Sequence, residues 1–569
     1  MRIQMTYIVR ALNLLPPVFF MMAAQAETGA FKKYADDTAA AMDAKNYDLA
    51  LQLAEQAAKL TDGPPAVESG EAAQALRTLA TVYRKMSQPA AAEQYFKRAL
   101  AMDEKLLGPD HPDLAIDLNE LAAFYLAQQR FDLAEVNLKR ALQNREKAQK
   151  SDDLVTASTL NLLAETYFAQ ESYREAEPIQ KRALAIREKL LGADSPVLAP
   201  MLKNLGYIAA TKQAFKEADA LYKRALKIME TARGPDHSDV AIYAEGLGTF
   251  YYAVRAYQLA EAEFLHELKI HEKALGSDSI GLIPPLNRVA KNYQAWGQYA
   301  KAQPYFERAL EIGEKAVGPD DIRIVPQMDN LARMFFQWAV IPGDHAEFEW
   351  YRVSLAEKYA LRSLALREKS LPPNHPDLII SLEQMARLYA ARQLPSKAEQ
   401  YLLRELAIHE IVDGPESESV AICLDKLALI YYRDQQLEKA ASLYLRIIAI
   451  HRKLPGGKDA EVSVTFSNLG MIYQELKQYD RSESMYCRSI NIQANLFGPT
   501  DPATIRNVSR LISLYEKTGA INTGVFNANE TTRLMTALSW NKTIAESNPQ
   551  IVELAKSTIE SCRTRFPLK

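Results

Sequence analysis

Cysteine is nearly absent: Cys423, Cys487 and Cys562 are the only three in 569 residues. Their number is odd and their positions are far apart, so no framework of paired cysteines is expected. Cys423 and Cys487 fall in helical patterns and read as small buried hydrophobes. Excess charge is missing too. A formal net charge of −3 gives no electrostatic footprint for nucleic acid and no polybasic arm for a membrane surface. Strand-like alternation of Val, Ile and Thr is hard to find, and beyond the N-terminus no stretch is long and apolar enough to span a bilayer. What is present is 48% hydrophobic residues, enough for a large core, in a background of Ala, Leu, Glu and Lys that favours helix.

Catalytic signatures are also lacking. His266, Glu267 and His271 resemble a zinc-protease motif, but the two His are five apart and point to different faces of a helix. Gly456-Gly457-Lys458 has neither the upstream Gly nor the following Ser or Thr of a phosphate loop. No nucleophile elbow, paired-cysteine zinc site or nucleotide fingerprint occurs. No cofactor, no metal and no enzymatic activity are expected.

The first residues read as a targeting segment. Arg2 and Arg10 precede an apolar stretch from Ala11 to Met22, and Ala24-Gln25-Ala26 supplies small residues for cleavage. The stretch is shorter than the roughly 20 residues a spanning helix needs. A signal peptide over 1–26 is expected, hence export to a periplasm or the exterior.

A 42-residue period runs through most of the rest. The turn Gly108-Pro109-Asp110-His111-Pro112 recurs in register at Gly192, Gly234, Gly276 and Gly318, then, after a 12-residue insertion, at Pro372, Gly414, Gly456 and Gly498. Tyr83, Tyr125, Tyr167, Tyr251 and Tyr293 share one column, and Leu79, Leu121, Leu163, Leu205 and Leu247 another. Small residues follow each Leu, as at Ala80, Ala122 and Gly248, and recur later at Ala92, Ala134 and Ala176. Leu76, Leu79, Ala80 and Tyr83 form one helical stripe, and Ala92, Phe96 and Ala99 the facing stripe of a second helix. Small residues let the axes approach while Leu, Tyr and Phe fill the space between. One helix pair cannot bury its face alone, so successive units stack into a continuous core. His271, His409 and His451 then share one repeat column, which reads as a ridge rather than a metal site.

This spacing resembles the tetratricopeptide repeat (TPR), and its 42-residue length is similar to the repeats of kinesin light chains and their bacterial relatives. The resemblance covers about residues 30–518 and implies an all-α, right-handed superhelical α-solenoid of about eleven helix pairs with a C-terminal capping helix. The chain divides into a degenerate first repeat at 27–67, a solenoid at 68–518 and a tail at 519–569 read as a cap. Arg98, Arg140, Arg182, Arg224 and their successors form a ladder on the second helices, read as pairing with nearby carboxylates.

In the TPR family the first helices line a concave groove, which implies a protein or peptide partner. Asn204, Asn330 and Asn468 match a groove Asn whose amide serves an extended backbone. Arg288, Lys291, Arg333 and Arg387 put positive charge in the same face, with Asp329 and Glu383 interleaved. The insertion near 341–352 carries Phe348, Trp350 and Tyr351, either packed on the adjacent helix or offering a second contact surface. The expected function is a non-catalytic scaffold holding a polypeptide segment. The alternatives are a self-assembling structural component acting through its convex surface or tail and, ranked last, an enzyme with an unrecognised site. Asn507, Asn529 and Asn541 each begin an Asn-x-Ser/Thr triplet.

Overall fold

The computed structural model describes residues 17–62, 69–150, 152–339, 346–455, 458–518 and 549–567. They are helical, with short turns and no strand. Eleven antiparallel helix pairs run from Pro17–Asp43 with Tyr47–Asp62 to Asp459–Glu475 with Tyr479–Phe497, followed by the half-repeat helix Pro502–Thr518. Among the described residues no helix is long and apolar enough to cross a membrane. The helix Pro17–Asp43 runs through the expected cleavage point at Ala26; residues 1–16 of that segment lie outside the described residues. The chain forms two compact units, residues 1–274 and 275–569.

The columns explain the packing. Leu76, Leu79, Ala80, Ala92 and Ala99 are fully buried, and the same columns are buried in later units. The small column is small for a reason: a Cβ on Gly248 would stand 2.8 Å from the ring of Phe264, and one on Gly470 2.8 Å from that of Tyr486. A second set of bonds links consecutive repeats. The Tyr125 hydroxyl donates to Glu93, Tyr167 to Glu135, Tyr251 to Asp219 and Tyr431 to Glu399, each at 2.6–3.0 Å. The Tyr column is therefore conserved in geometry as a bolt, apolar ring inside and hydroxyl on the neighbour.

The turn sequence also has a physical reading. Gly108 and Gly318 close their second helices at φ 91° and 93°, a left-handed backbone that favours glycine. The His of the turn is a cap: His111, His237 and His375 each accept, through Nδ1, the backbone N–H two residues on, at 3.1–3.3 Å. Asp321 and Ser279 do the same in other repeats.

Two expectations are corrected. Cys487 is not merely a small buried hydrophobe, because it forms a disulfide with Cys562, 75 residues away. Cys423 is buried and unpaired. The bond ties the helix Pro549–Arg565 to Tyr479–Phe497, on which that helix mainly packs, with a smaller contact to Pro502–Thr518. Ile559 and Cys562 close over Ile490, Ile505, Val508 and Ile512. Asn491 donates to the Phe566 carbonyl at 3.1 Å, and Arg565 pairs with Glu483. Residues 519–548, with Asn529 and Asn541, lie outside the described residues. The second correction concerns the insertion, which is not all loop. Residues 346–352 extend the second helix, Ala346–Ser370, to 25 residues where its neighbours Tyr299–Val317 and Pro395–Val412 have 19 and 18. Residues 341–345 and the Phe348 side chain lie outside what is described.

Candidate functional site

The Arg ladder on the second helices is a brace. Arg140 reaches Glu104 of the preceding second helix at 2.6 Å and the Pro109 carbonyl at 2.7 Å. Arg362 repeats both contacts with Glu314 and Pro319, and Arg182 and Arg404 pair with Glu146 and Glu368. Each spans consecutive repeats, so the ladder is occupied in holding the stack. His271 and His409 likewise stand beside local carboxylates, Glu267 of the same helix at 3.8 Å and the capping Asp413 at 2.8 Å.

The first helices present the other face. In the unit 275–569 a row of half-buried polar residues crosses it: Arg288, Asn330, Gln384, Lys426 and Asn468. Side chains of this face bond across successive first helices. Asn330 Nδ2 donates to Asn287 Oδ1 at 3.3 Å, Gln294 to Gln337 at 2.7 Å and Lys426 to Glu383 at 3.0 Å. Lys426 also meets the buried Glu405 at 3.0 Å. Burial pulls the Lys426 ammonium down, but Glu405 and Glu383 outweigh it and hold it above its ordinary value. Arg288 has a partner of its own, and Asn468 hydrogen-bonds Tyr444.

One turn further along, Lys291, Arg333 and Arg387 occupy one column of three successive repeats, all exposed. Among the described residues none of the three has an ion-pair partner. The carboxylates expected to neutralise them are engaged elsewhere. Asp329 is buried, paired with Arg367 at 2.6 Å and accepting from the Ser363 hydroxyl at 2.5 Å, so it does not interleave on the face. Glu383 belongs to Lys426. Arg333 and Arg387 line a cavity of about 100 Å³ together with Gln384 and Phe336, over a buried floor that includes Ala332 and Leu388. Gln384 and Phe336 were not singled out from the sequence. Gln384 had a signal, since it stands one period plus the insertion after Asn330; Phe336 had none.

Asn204 lies on Ala199–Thr211 in the other unit, half-buried, and is not brought into this cluster. Trp350 is 69% exposed and Tyr351 61%, so neither is packed away on a neighbouring helix. The Arg392 guanidinium stands 5.8 Å from the Trp350 ring centroid, and Arg352 3.9 Å from that of Trp338.

Asn507 is 2% exposed and bonded to Ser489 and Gln493, which removes it as a glycosylation acceptor in the folded chain.

The tetratricopeptide repeat family model matches residues 39–105, 71–147, 155–231, 239–315 and 419–495, together more than half of the chain. No curated protein matches it significantly. Among solved structures, BtubC from P. vanneervenii is 20% identical, over 42% of this chain and 90% of that one, with a TM-score of 0.35. A Podospora anserina kinesin light chain with nearly identical TPR-like repeats is 20% identical, over 39% and 95%, at 0.32. The apo form of RapI is 16% identical, over 50% and 98%, at 0.37. The stacked pairs, their 42-residue period and the family match agree: this chain belongs to the tetratricopeptide repeat family and carries repeats of kinesin-light-chain type.

Proposed function

We propose that this protein is a non-catalytic scaffold whose first-helix face in residues 275–569 holds an acidic polypeptide segment. TPR proteins supply surfaces for protein partners, and the finer reading rests on one observation. Lys291, Arg333 and Arg387 repeat in one column, exposed and without ion-pair partners, beside a small cavity with an apolar floor. Unpaired cations in register attract a chain of opposite sign, and Arg gives forked hydrogen bonds to carboxylates. Asn330, Gln384 and Asn468 supply amides for the backbone of the bound segment. Trp350 and Tyr351 extend the surface at the end of the lengthened helix. We further propose that the segment 1–26 directs export, with the solenoid at 68–518 and its cap as the mature body. The Cys487–Cys562 bond supports this, because disulfides persist in oxidising compartments.

The test is fluorescence anisotropy with a short peptide of alternating Glu and Leu, using the full chain and a K291S/R333S/R387S variant. The expected result is affinity at least about tenfold weaker in the variant, a loss that shrinks as salt rises, and an unchanged melting temperature. Equal affinity in the two proteins rules the basic column out as the site.

A further inference from the structure

The unit 1–274 carries a cleft of the opposite character. It lies between the helix Pro17–Asp43 and the first helices Gly70–Lys85 and Ala115–Ala127, with a volume of about 720 Å³. Asp36, Asp43 and Glu120 line it, and among the described residues none of these three carboxylates has an ion-pair partner. Arg77 is at its wall but is already spent, because its Nη1 meets Asp103 at 2.8 Å and Asp117 at 2.7 Å. Burial pushes the Glu120 carboxyl up, with Arg77 and Arg84 pulling it back from a distance.

A second observation is independent of the acids. Thr38 is 1% exposed and lines this cleft and the adjoining cavity of about 360 Å³, which also takes in Asp36 and Thr78. Its Oγ1 is buried with no hydrogen-bond partner. An orphaned buried hydroxyl destabilises the fold, a cost that a ligand donor or acceptor would remove.

We propose that this cleft seats a lysine- or arginine-bearing polypeptide segment. Asp36, Asp43 and Glu120 take the cationic heads, Thr38 bonds the segment, and Ile116 covers the aliphatic stems. A metal ion fits less well, since among the described residues no three carboxylate, His or Cys side chains converge as ligands. All the residues involved follow Ala26 and remain after the expected cleavage. The cleft and the basic column of the other unit use different residues, so either can fail without the other.

The experiment measures binding of a short fluorescent peptide of alternating Lys and Ala to the full chain, and to D36N/D43N/E120Q and T38V variants. The expected result is at least about tenfold weaker binding in the triple variant and a smaller loss in T38V, with melting temperatures close to wild type. D36N alone, at an exposed position, serves if the triple variant does not fold, and its expected loss is about threefold. K291S/R333S/R387S is expected to leave this peptide's affinity undiminished. No binding by the wild-type chain, or equal binding by the acid-neutralised variants, overturns the proposal. So does competition by spermidine at the peptide's own concentration, which would make the site one for a free polyamine.

Discussion

The same two columns of the first helices carry different chemistry in the two units. In residues 1–274 they read Thr78, Glu120, Leu162, Asn204, Gly246 and Thr81, Ala123, Glu165, Tyr207, Thr249, with no cation in either. In residues 275–569 they read Arg288, Asn330, Gln384, Lys426, Asn468 and Lys291, Arg333, Arg387, Leu429, Met471. The columns that flank them on the same helices scarcely vary. Leu79 and Leu331 are equally buried, as are Ala80 and Ala332. A position in the core is held by close packing, where even one added carbon meets a ring, whereas a position on the face is not constrained by shape and accepts a range of polar side chains. The repeat is thus one scaffold with two independent alphabets, and under the proposed function the second is the one that selects a partner.

The contrast between core and face is sharpest within one helix. Arg333 and Asp329 are neighbouring turns of Val325–Ala339, one exposed and the other in a buried pair with Arg367. Arg367→Ala strands the Asp329 carboxylate among Ser363 and Ser381, and the expected loss is about 3–5 kcal/mol. Arg333→Ser has no such debt, and its expected effect on stability is within about 0.5 kcal/mol. Urea unfolding of the two variants measures both. Comparable losses would break the distinction between the alphabets.

The C-terminal end gives the next largest effect. Reduction, or Cys562→Ser, frees a 75-residue connection and is expected to cost about 2–4 kcal/mol, confined to the unit 275–569. Repeats couple mainly to their neighbours, so the unit 1–274 should keep its own transition. Proteolysis mapped by mass spectrometry reads this out as new cuts near Pro549–Arg565 alone. Under denaturing, non-reducing conditions a single thiol, Cys423, should react. Three reactive thiols would mean that the cap is held without the bond.

These cases also mark how far the sequence could be read. Periodicity exposes whatever repeats: the eleven pairs, the Leu, Ala and Tyr columns and the turn Gly. It is blind to what happens once. Nothing in the spacing of Cys487 and Cys562 pairs them, because the tail returns to the stack through a connection that follows no period. Asp329 reads in the sequence as interleaved with the basic residues of the face; its pair with the buried Arg367 draws it inward instead. The turn His could not be read as a cap without its Nδ1 geometry. Lys291, Arg333 and Arg387 were legible as basic residues of the face, and their lack of ion-pair partners among the described residues was not.

The smallest expected effect concerns pH, and it separates the buried charges of the unit 1–274 from the pair just described. There one guanidinium serves two carboxylates, so Asp117 is left under-compensated. Burial pushes it up to about 6, against the pull of Arg77, with Asp103 adding to the rise. The ordinary value is 3.8, so between that value and about 6 the folded chain binds a proton that the unfolded chain does not. Stability from this group therefore rises as pH falls through 6 and declines as pH rises, the reverse of a salt-bridged carboxylate with a depressed value. Asp117→Asn removes the titration and keeps the shape. The gap in unfolding free energy between wild type and variant should move in favour of wild type by about 1 kcal/mol or more from pH 7.5 to pH 5. A gap that stays constant across that range means Arg77 neutralises both carboxylates after all, and the two units would then handle buried charge alike.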